Sequence, residues 1–491
     1  MNPHAWLVLG SALGLVATGA HTLPLATWLS ATFLLRFSRQ QPTLRGYLAI
    51  ALLAVPVMAW SWSLFPFGGP IGRAVFAILT GFIGAVPYLL DRLMAPAERG
   101  WARTLSFPIT VTAVEIAGQI GNDLGSWGAT AYTQVDADAL RQVVAVTGLP
   151  GVTFIVALGA ALLNDVWEAA DRQGLPARPT WLAGLGVLVV LAVGQVRLHV
   201  PPSDGIRVAG ISGPRWNGLP GDLRDRYRGD GPFSAQDQAA VRSAHAREHE
   251  RLFAAAEREA RAGARLVTFS EAAVVVVEAD RDAALDRARR IAVDTGATLV
   301  VPLGVLETGP APRKLHNEVV LALPDGRLST PYAKAIPTPG GERSWTRAGD
   351  GRLVPVDTPI GRVATVICFD ADFPDLVAQA GPLGVDLLIV PAGDWPAVAR
   401  IHADMARLRA VEQGISVLRV ASAGVSTAID PRGAVWGRHR YPVDGDTLVA
   451  TVPVGHRPTV YGTVGRWFDA LVCVGFVLSA IAATRRRRAS R

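Results

Sequence analysis

The apolar residues of this chain come in blocks, and their distribution limits what it can fold into. Half of its 491 residues are hydrophobic. Up to about residue 200 the apolar stretches are long. From there to about residue 466 charges are dense and the pattern is globular, and a last apolar block leads into a basic tail. A helix that crosses a bilayer needs about 20 mostly apolar residues. Segments 46–64, 72–90, 105–124, 143–163, 181–200 and 467–483 each come close. The shorter 5–20 and 23–37, joined by a tight turn, read as a helical hairpin. The expectation is about eight spans, seven before a water-soluble domain and one after it. This divides the chain into a polytopic region (1–200), a soluble domain (201–465) and an anchor with its tail (466–491). The N-terminal block lacks the basic leader of a signal peptide and is followed by further spans, so it reads as membrane structure.

Positive charge sets the orientation, because cytoplasmic loops carry an excess of arginine and lysine. Arg36, Arg39 and Arg45 follow the second span, Arg92, Arg99 and Arg103 the fourth, and Arg172 and Arg178 the sixth. The tail holds Arg485, Arg486, Arg487, Arg488 and Arg491. Loops of the other parity are nearly free of positive charge; one has Asp123, Asp136 and Asp138 against Arg141. Both termini are therefore expected in the cytoplasm and the soluble domain outside. The net charge of +7 is largely topological. It suits anionic lipid at the cytoplasmic leaflet rather than nucleic acid.

Two residue types are rare. Of 48 basic residues only Lys314 and Lys334 are lysine. Unlike a guanidinium, a lysine amine is a compact point charge whose pKa moves on burial. Cys368 and Cys473 are the only cysteines, and the second falls inside the last span. The soluble domain thus has one thiol and no disulfide partner, in a compartment where disulfides form. A lone cysteine is commonly an inert small hydrophobe, so the company it keeps decides its reading.

In the soluble domain, strands at 205–211, 265–269, 298–301, 318–323, 363–367, 386–390 and 417–420 alternate with helices at 235–263, 280–296 and 401–414. That is an α/β pattern with helices covering sheets. Functional residues in such folds gather where strands end. Glu271 stands just after one strand and Cys368 just after another. A thiol needs a base to become a nucleophile, and a carboxylate can take its proton and later return it. A tetrahedral intermediate carries negative charge that an ammonium, Lys334, and a backbone N–H, that of Phe369, can stabilise. No histidine stands at an equivalent strand end, so a Cys–His pair is less natural.

These residues resemble the Glu-Lys-Cys triad of the nitrilase (carbon–nitrogen hydrolase) superfamily. With the membrane frame, the chain is similar to the bacterial apolipoprotein N-acyltransferases within it. The Lys334 segment, with Glu342 eight positions on, is similar to the family's lysine segment. His402-Ala403-Asp404-Met405-Ala406-Arg407-Leu408-Arg409-Ala410-Val411-Glu412, then Arg419 and Gly424, match the stretch after the nucleophile. Ser126-Trp127-Gly128, Tyr132-Thr133-Gln134 and Thr147-Gly148 resemble the join between the fifth and sixth spans, and Tyr461 through Trp467-Phe468-Asp469 the lead into the last.

The resemblance implies a four-layer α-β-β-α nitrilase-like sandwich inserted between transmembrane helices. It implies catalysis by Glu271, Lys334 and Cys368, supported by Glu342, Phe369 and Asp370. A phospholipid would give its acyl chain to Cys368, and the N-terminal amine of a diacylated apolipoprotein would receive it. No metal or other cofactor is implied, and the protein would be a monomer in the bacterial inner membrane. Three departures bear on substrate: Phe269-Ser270 replaces Trp-Pro, Phe369-Asp370 replaces Tyr-Glu, and Ser422 replaces an asparagine. An amidase tethered to the membrane and acting on a small amide stays open beside acyl transfer, as does a non-catalytic scaffold.

Plainer readings hold elsewhere. Lys314 is expected in a solvated loop. Arg407, Arg409 and Glu412 read as a helical salt-bridge face. His245 and His249 have metal-pair spacing without the rest of a zincin motif and are expected in solvent. Glu115, inside the fifth span, either shapes a lipid path or bonds neighbouring helices.

Overall fold

The computed structural model describes residues 2–18, 22–63, 69–96, 100–199, 204–213, 219–310 and 312–489. Leu64, Arg99, Arg491 and the expected boundary at 200/201 lie outside the described residues. The chain forms two compact units, Met1–Val200 with Val464–Arg491, and Pro201–Thr463.

The first unit is helical: α1 Pro3–Gly14, α2 Pro24–Arg39, α3 Thr43–Trp62, α4 Gly69–Met94, α5 Trp101–Gln119, α6 Asp138–Arg141, α7 Val144–Thr147, α8 Leu149–Asp171, α9 Arg178–Leu198 and a C-terminal helix, Trp467–Ala489. Among the described residues, α3, α4, α8, α9 and the C-terminal helix are long and apolar enough to cross a membrane. The hairpin helices α1 and α2 have 12 and 16 residues, and α5 carries Arg103 and Glu115 within its 19. Two expected spans are redrawn. The fifth stops at Gln119 rather than 124. The sixth starts at Leu149 rather than 143, because Gly148 adopts a left-handed φ of 69° and breaks the chain from α7, while a proline opens α8.

Charges inside this unit are paired, as their cost in an apolar setting requires. Arg39 grips Asp91 through two bonds of 3.0 and 3.1 Å, and Arg103 reaches Glu168 at 3.0 Å. Arg36 pairs with Asp171, and its guanidinium lies 4.8 Å from the Trp167 ring centre. Glu115 accepts the Thr130 N–H at 2.9 Å and the Thr153 hydroxyl at 2.7 Å, so it bonds neighbouring segments.

The second unit holds strands β1 Gly205–Ile211, β2 Leu266–Phe269, β3 Val274–Val277, β4 Thr298–Leu306, β5 Leu315–Ala322, β6 Tyr332–Ala333, β7 Val356–Thr358, β8 Gly361–Thr365, β9 Leu387–Gly393, β10 Ser416–Ser422, β11 Val425–Ile429, β12 Val435–Arg440 and β13 Thr447–Pro453. Its helices are α10 Gly221–Arg228, α11 Ala235–Arg261, α12 Arg281–Thr295, α13 Pro374–Val377 and α14 Ala399–Gln413. One sheet runs β13-β1-β2-β4-β5-β6, with β3 also on β4; the other runs β12-β11-β10-β9-β8-β7. In each the central strands are parallel, β1-β2-β4 and β8-β9-β10.

Side-chain alternation sorts the core. Val208, Leu266 and Val300 pack with Leu387, Ile389 and Val417 of the other sheet, while Ala209, Val267 and Leu299 pack with Phe253, Ala256, Ala288 and Ile291 of α11 and α12. Ala406 and Ala410 of α14 join the core of the second sheet. Strands β4, β5, β9 and β10 are longer than expected, and β3, β6, β7, β11, β12 and β13 are strands the sequence reading does not contain. Most of these are short, or half exposed with mixed polarity, as in Val435–Arg440.

Two plainer readings are corrected here. Arg409 and Glu412 do pair, at 2.8 Å, but both side chains are buried rather than facing solvent. His245 and His249 are half-buried with ring centroids 6.0 Å apart, and burial lowers both pKa values, that of His249 to about 4.

Candidate active site

Glu271 sits in a gap in the first sheet. β2 pairs with Thr298–Val300 of β4, and β3 with Leu303–Leu306 further along the same edge. Between them the chain leaves the sheet, with Ala272 in the left-handed region at φ 45°. The Glu271 N–H bonds Ala392 O of β9 at 3.3 Å, which ties the gap to the second sheet. Its Oε1 accepts Asn317 Nδ2 at 2.8 Å and Lys334 Nζ at 2.7 Å. A Cβ on Gly393 would come within 3.0 Å of Oε2, so the glycine leaves room for the carboxylate.

Lys334 follows the edge strand β6, and its N–H bonds Asn317 O at 2.8 Å. The side chain is fully buried, with Nζ 2.7 Å from Glu271 and 2.5 Å from Glu342 Oε2. Glu342 is fixed in turn by the Thr338 N–H at 3.0 Å. Burial pulls the Lys334 pKa down, but Glu271 and Glu342 outweigh it and hold the ammonium well above its ordinary value. Burial raises Glu342, yet Lys334 more than offsets this and the net shift is down. Two carboxylates thus share one buried cation.

Cys368 opens a 3-10 turn, Cys368–Asp372, beyond the end of β8. Its φ of 50° is left-handed, a strained conformation for a side-chain-bearing residue that is characteristic of functional sites. Sγ lies 3.9 Å from Gly393 O. Burial and the Glu271 charge push the thiol well above its ordinary pKa, and Lys334 does not compensate. The resting group is a neutral thiol, so its proton must leave as the sulfur attacks.

Asp370 does more than the sequence suggested. Its buried carboxylate accepts Tyr332 OH at 2.8 Å, the N–H groups of Ile336 at 2.8 Å and Ala335 at 3.3 Å, and that of Ile367 at 3.1 Å. It therefore clamps the cysteine turn to both sides of Lys334. Burial raises it to about 6 against the pull of Lys334 and these bonds. Phe369 packs its ring on Phe373, centroids 5.2 Å apart.

Lys334 contacts both Glu271 and Glu342, and Cys368 interacts electrostatically with all three. Sequence reasoning missed Asn317 and Gly393. Asn317 is a buried amide between His316 and Glu318 of β5, and asparagine is disfavoured in strands, which was its available signal. Among the described residues no three His, Cys, Asp or Glu side chains are grouped to hold a metal ion.

The αβ unit that brings a carboxylate, an ammonium and a thiol to its strand ends is the part of the chain that a carbon–nitrogen hydrolase family model matches. The family model "Carbon-nitrogen hydrolase" matches residues 235–456, and "Apolipoprotein N-acyltransferase N-terminal domain" matches 10–162. The apolipoprotein N-acyltransferase of Geobacter metallireducens is 24% identical over 94% of this chain and 92% of its own. That of Rhodopseudomonas palustris is 25% identical over 98% and 89%. An amidase from Nesterenkonia sp. of known structure is 21% identical, covering 52% of this chain and 93% of its own, at a TM-score of 0.39. The two family models match successive parts of the chain, and relatives named apolipoprotein N-acyltransferase are similar to it over nearly its whole length.

Proposed function

We propose that this protein moves an acyl chain from a membrane phospholipid, through a thioester on Cys368, to the N-terminal amine of a diacylglyceryl-cysteine apolipoprotein. Glu271 takes the thiol proton as Sγ attacks the ester carbonyl. Lys334 balances the tetrahedral oxyanion together with the Phe369 N–H. The C–O bond breaks, Glu271 returns the proton to the departing lysophospholipid oxygen, and the thioester remains. The acceptor amine then attacks, loses its proton to Glu271, and the cysteine leaves as thiol. Atoms balance without a further reagent, and neither a metal nor another cofactor enters the scheme.

The observation that carries this reading is the fully buried Lys334 ammonium, bonded to Glu271 and Glu342 beside the neutral thiol of Cys368. The same reading takes 1–200 as a polytopic membrane domain, 201–465 as an extracytoplasmic catalytic domain of four α-β-β-α layers, and 466–491 as anchor and tail. It counts eight spans in the bacterial inner membrane and a monomer. The arginine distribution and the apolar helices support it.

The test supplies purified protein with phospholipid and a diacylglyceryl-cysteine peptide and follows products by mass. Acyl chain on the peptide amine, with lysophospholipid in equal amount, is expected. Free fatty acid with an unmodified peptide would instead mark a hydrolase.

A further inference from the structure

Behind the cysteine turn lies a buried ionic group that the scheme above does not use. His402 of α14 is 5% exposed, with Nδ1 2.8 Å from Asp394 Oδ1 and Nε2 3.2 Å from Asp372 Oδ2. Asp372 closes the turn that Cys368 opens. Asp394 follows Gly393, whose carbonyl faces Sγ. Arg419 of β10 completes the group, bonding Asp394 Oδ1 at 2.6 Å and Val425 O at 2.9 Å. A Cβ on Gly424 would fall 2.2 Å from Asp394 Oδ2, so the chain closes tightly over the cluster.

Both ring nitrogens face carboxylates, which can only accept, Nδ1 in a hydrogen bond and Nε2 in an ion-pair contact, a setting that favours the doubly protonated imidazolium. Two buried carboxylates are then matched by two cations, His402 and Arg419. Burial pulls His402 down, but Asp372 and Asp394 hold it at about 9. The charged groups acting on it are Asp372 and Asp394, the latter also bonded by Arg419; on its own helix Arg400 and Asp404 pair with each other at 3.5 Å.

We propose that His402, as an imidazolium strut between Asp372 and Asp394, is a positioning residue that fixes the Cys368 turn against Gly393 and so sets where the sulfur meets the substrate carbonyl. The inference rests on the reading of Cys368 as nucleophile. A misplacement of about 1 Å in such a site costs roughly a hundredfold in rate, which makes a rigid, doubly anchored strut consequential although it touches no reacting atom.

The experiment measures acylation of the full-length protein in phosphatidylethanolamine nanodiscs by single-turnover intact mass, from pH 6 to 10. It compares wild type, His402→Gln and Asp372→Asn, the last leaving the Asp394–Arg419 pair in place. Expected are a 10- to 100-fold slower acylation in His402→Gln, a smaller loss in Asp372→Asn, half-saturating phospholipid within about threefold of wild type, and an alkaline decline near pH 9 present in wild type and absent from His402→Gln. Wild-type rates in both variants would overturn the strut while leaving the thioester reading intact. So would a loss that follows melting temperature with an unchanged pH profile. If His402→Gln does not fold, Asp372→Asn decides: slower acylation with an alkaline decline moved to lower pH supports the strut, and a wild-type rate and profile overturns it. A wild type that never acquires an acyl group would overturn both readings.

Discussion

Lys334 is the residue on which the site's electrostatics turn. Its ammonium joins Glu271 to Glu342, and removing one member of a buried charge set leaves the remaining charges uncompensated. Lys334→Met is expected to abolish acylation and to destabilise the catalytic unit by about 3–5 kcal/mol at neutral pH, less in acid as the carboxylates protonate, by thermal unfolding. Glu271→Gln keeps the shape but not the base and should slow acylation by about 10²- to 10⁴-fold with a small change in melting temperature. Titration gives a further check. Asp370 is raised to about 6 and His402 to about 9, so the native state holds more protons than the unfolded chain between about pH 4 and 6, and again between about 6.5 and 9. Each group therefore contributes stability that declines as pH rises through its window. His402→Gln should erase the second slope, by denaturant titration at several pH values.

Among elements, the break between β2 and β3 and the end of β9 set the geometry. The first gives Glu271 its place beside β4, and the second ends in the glycine that leaves room for it. Gly393→Ala is expected to displace the Glu271 carboxylate and cut acylation by about tenfold or more, with melting nearly unchanged, since one side-chain oxygen rather than backbone is in the way. Some of this was legible in the sequence. An apolar strand that stops at an acid located Glu271, and rarity singled out Lys334 and Cys368. The fourfold grip of Asp370 and the pairing of His402 with Asp372 and Asp394 were not legible, because they join residues whose proximity depends on how two sheets and a helix pack. His402 was read only as part of a matching stretch. Helix ends were also hidden: Gly148 inside an apolar run ends one helix and precedes another, a distinction hydropathy does not make.

For the whole molecule, the proposed orientation puts the C-terminus in the cytoplasm and residues 201–465 outside it, as the positive-inside rule expects from the arginine pattern. A fluorescent protein fused after the tail should glow, alkaline phosphatase fused there should be inactive, and phosphatase inserted in an exposed loop of the catalytic unit should be active. The reverse pattern would remove the catalytic unit from the compartment of its substrates. The central claim, an acyl chain held on one sulfur, is tested most directly by intact-mass analysis of the protein mixed with phospholipid. An adduct of acyl mass on the wild type, released by hydroxylamine and missing from Cys368→Ala, is the result expected. An adduct that persists in Cys368→Ala, or a wild type left unmodified while it turns substrate over, would contradict the account.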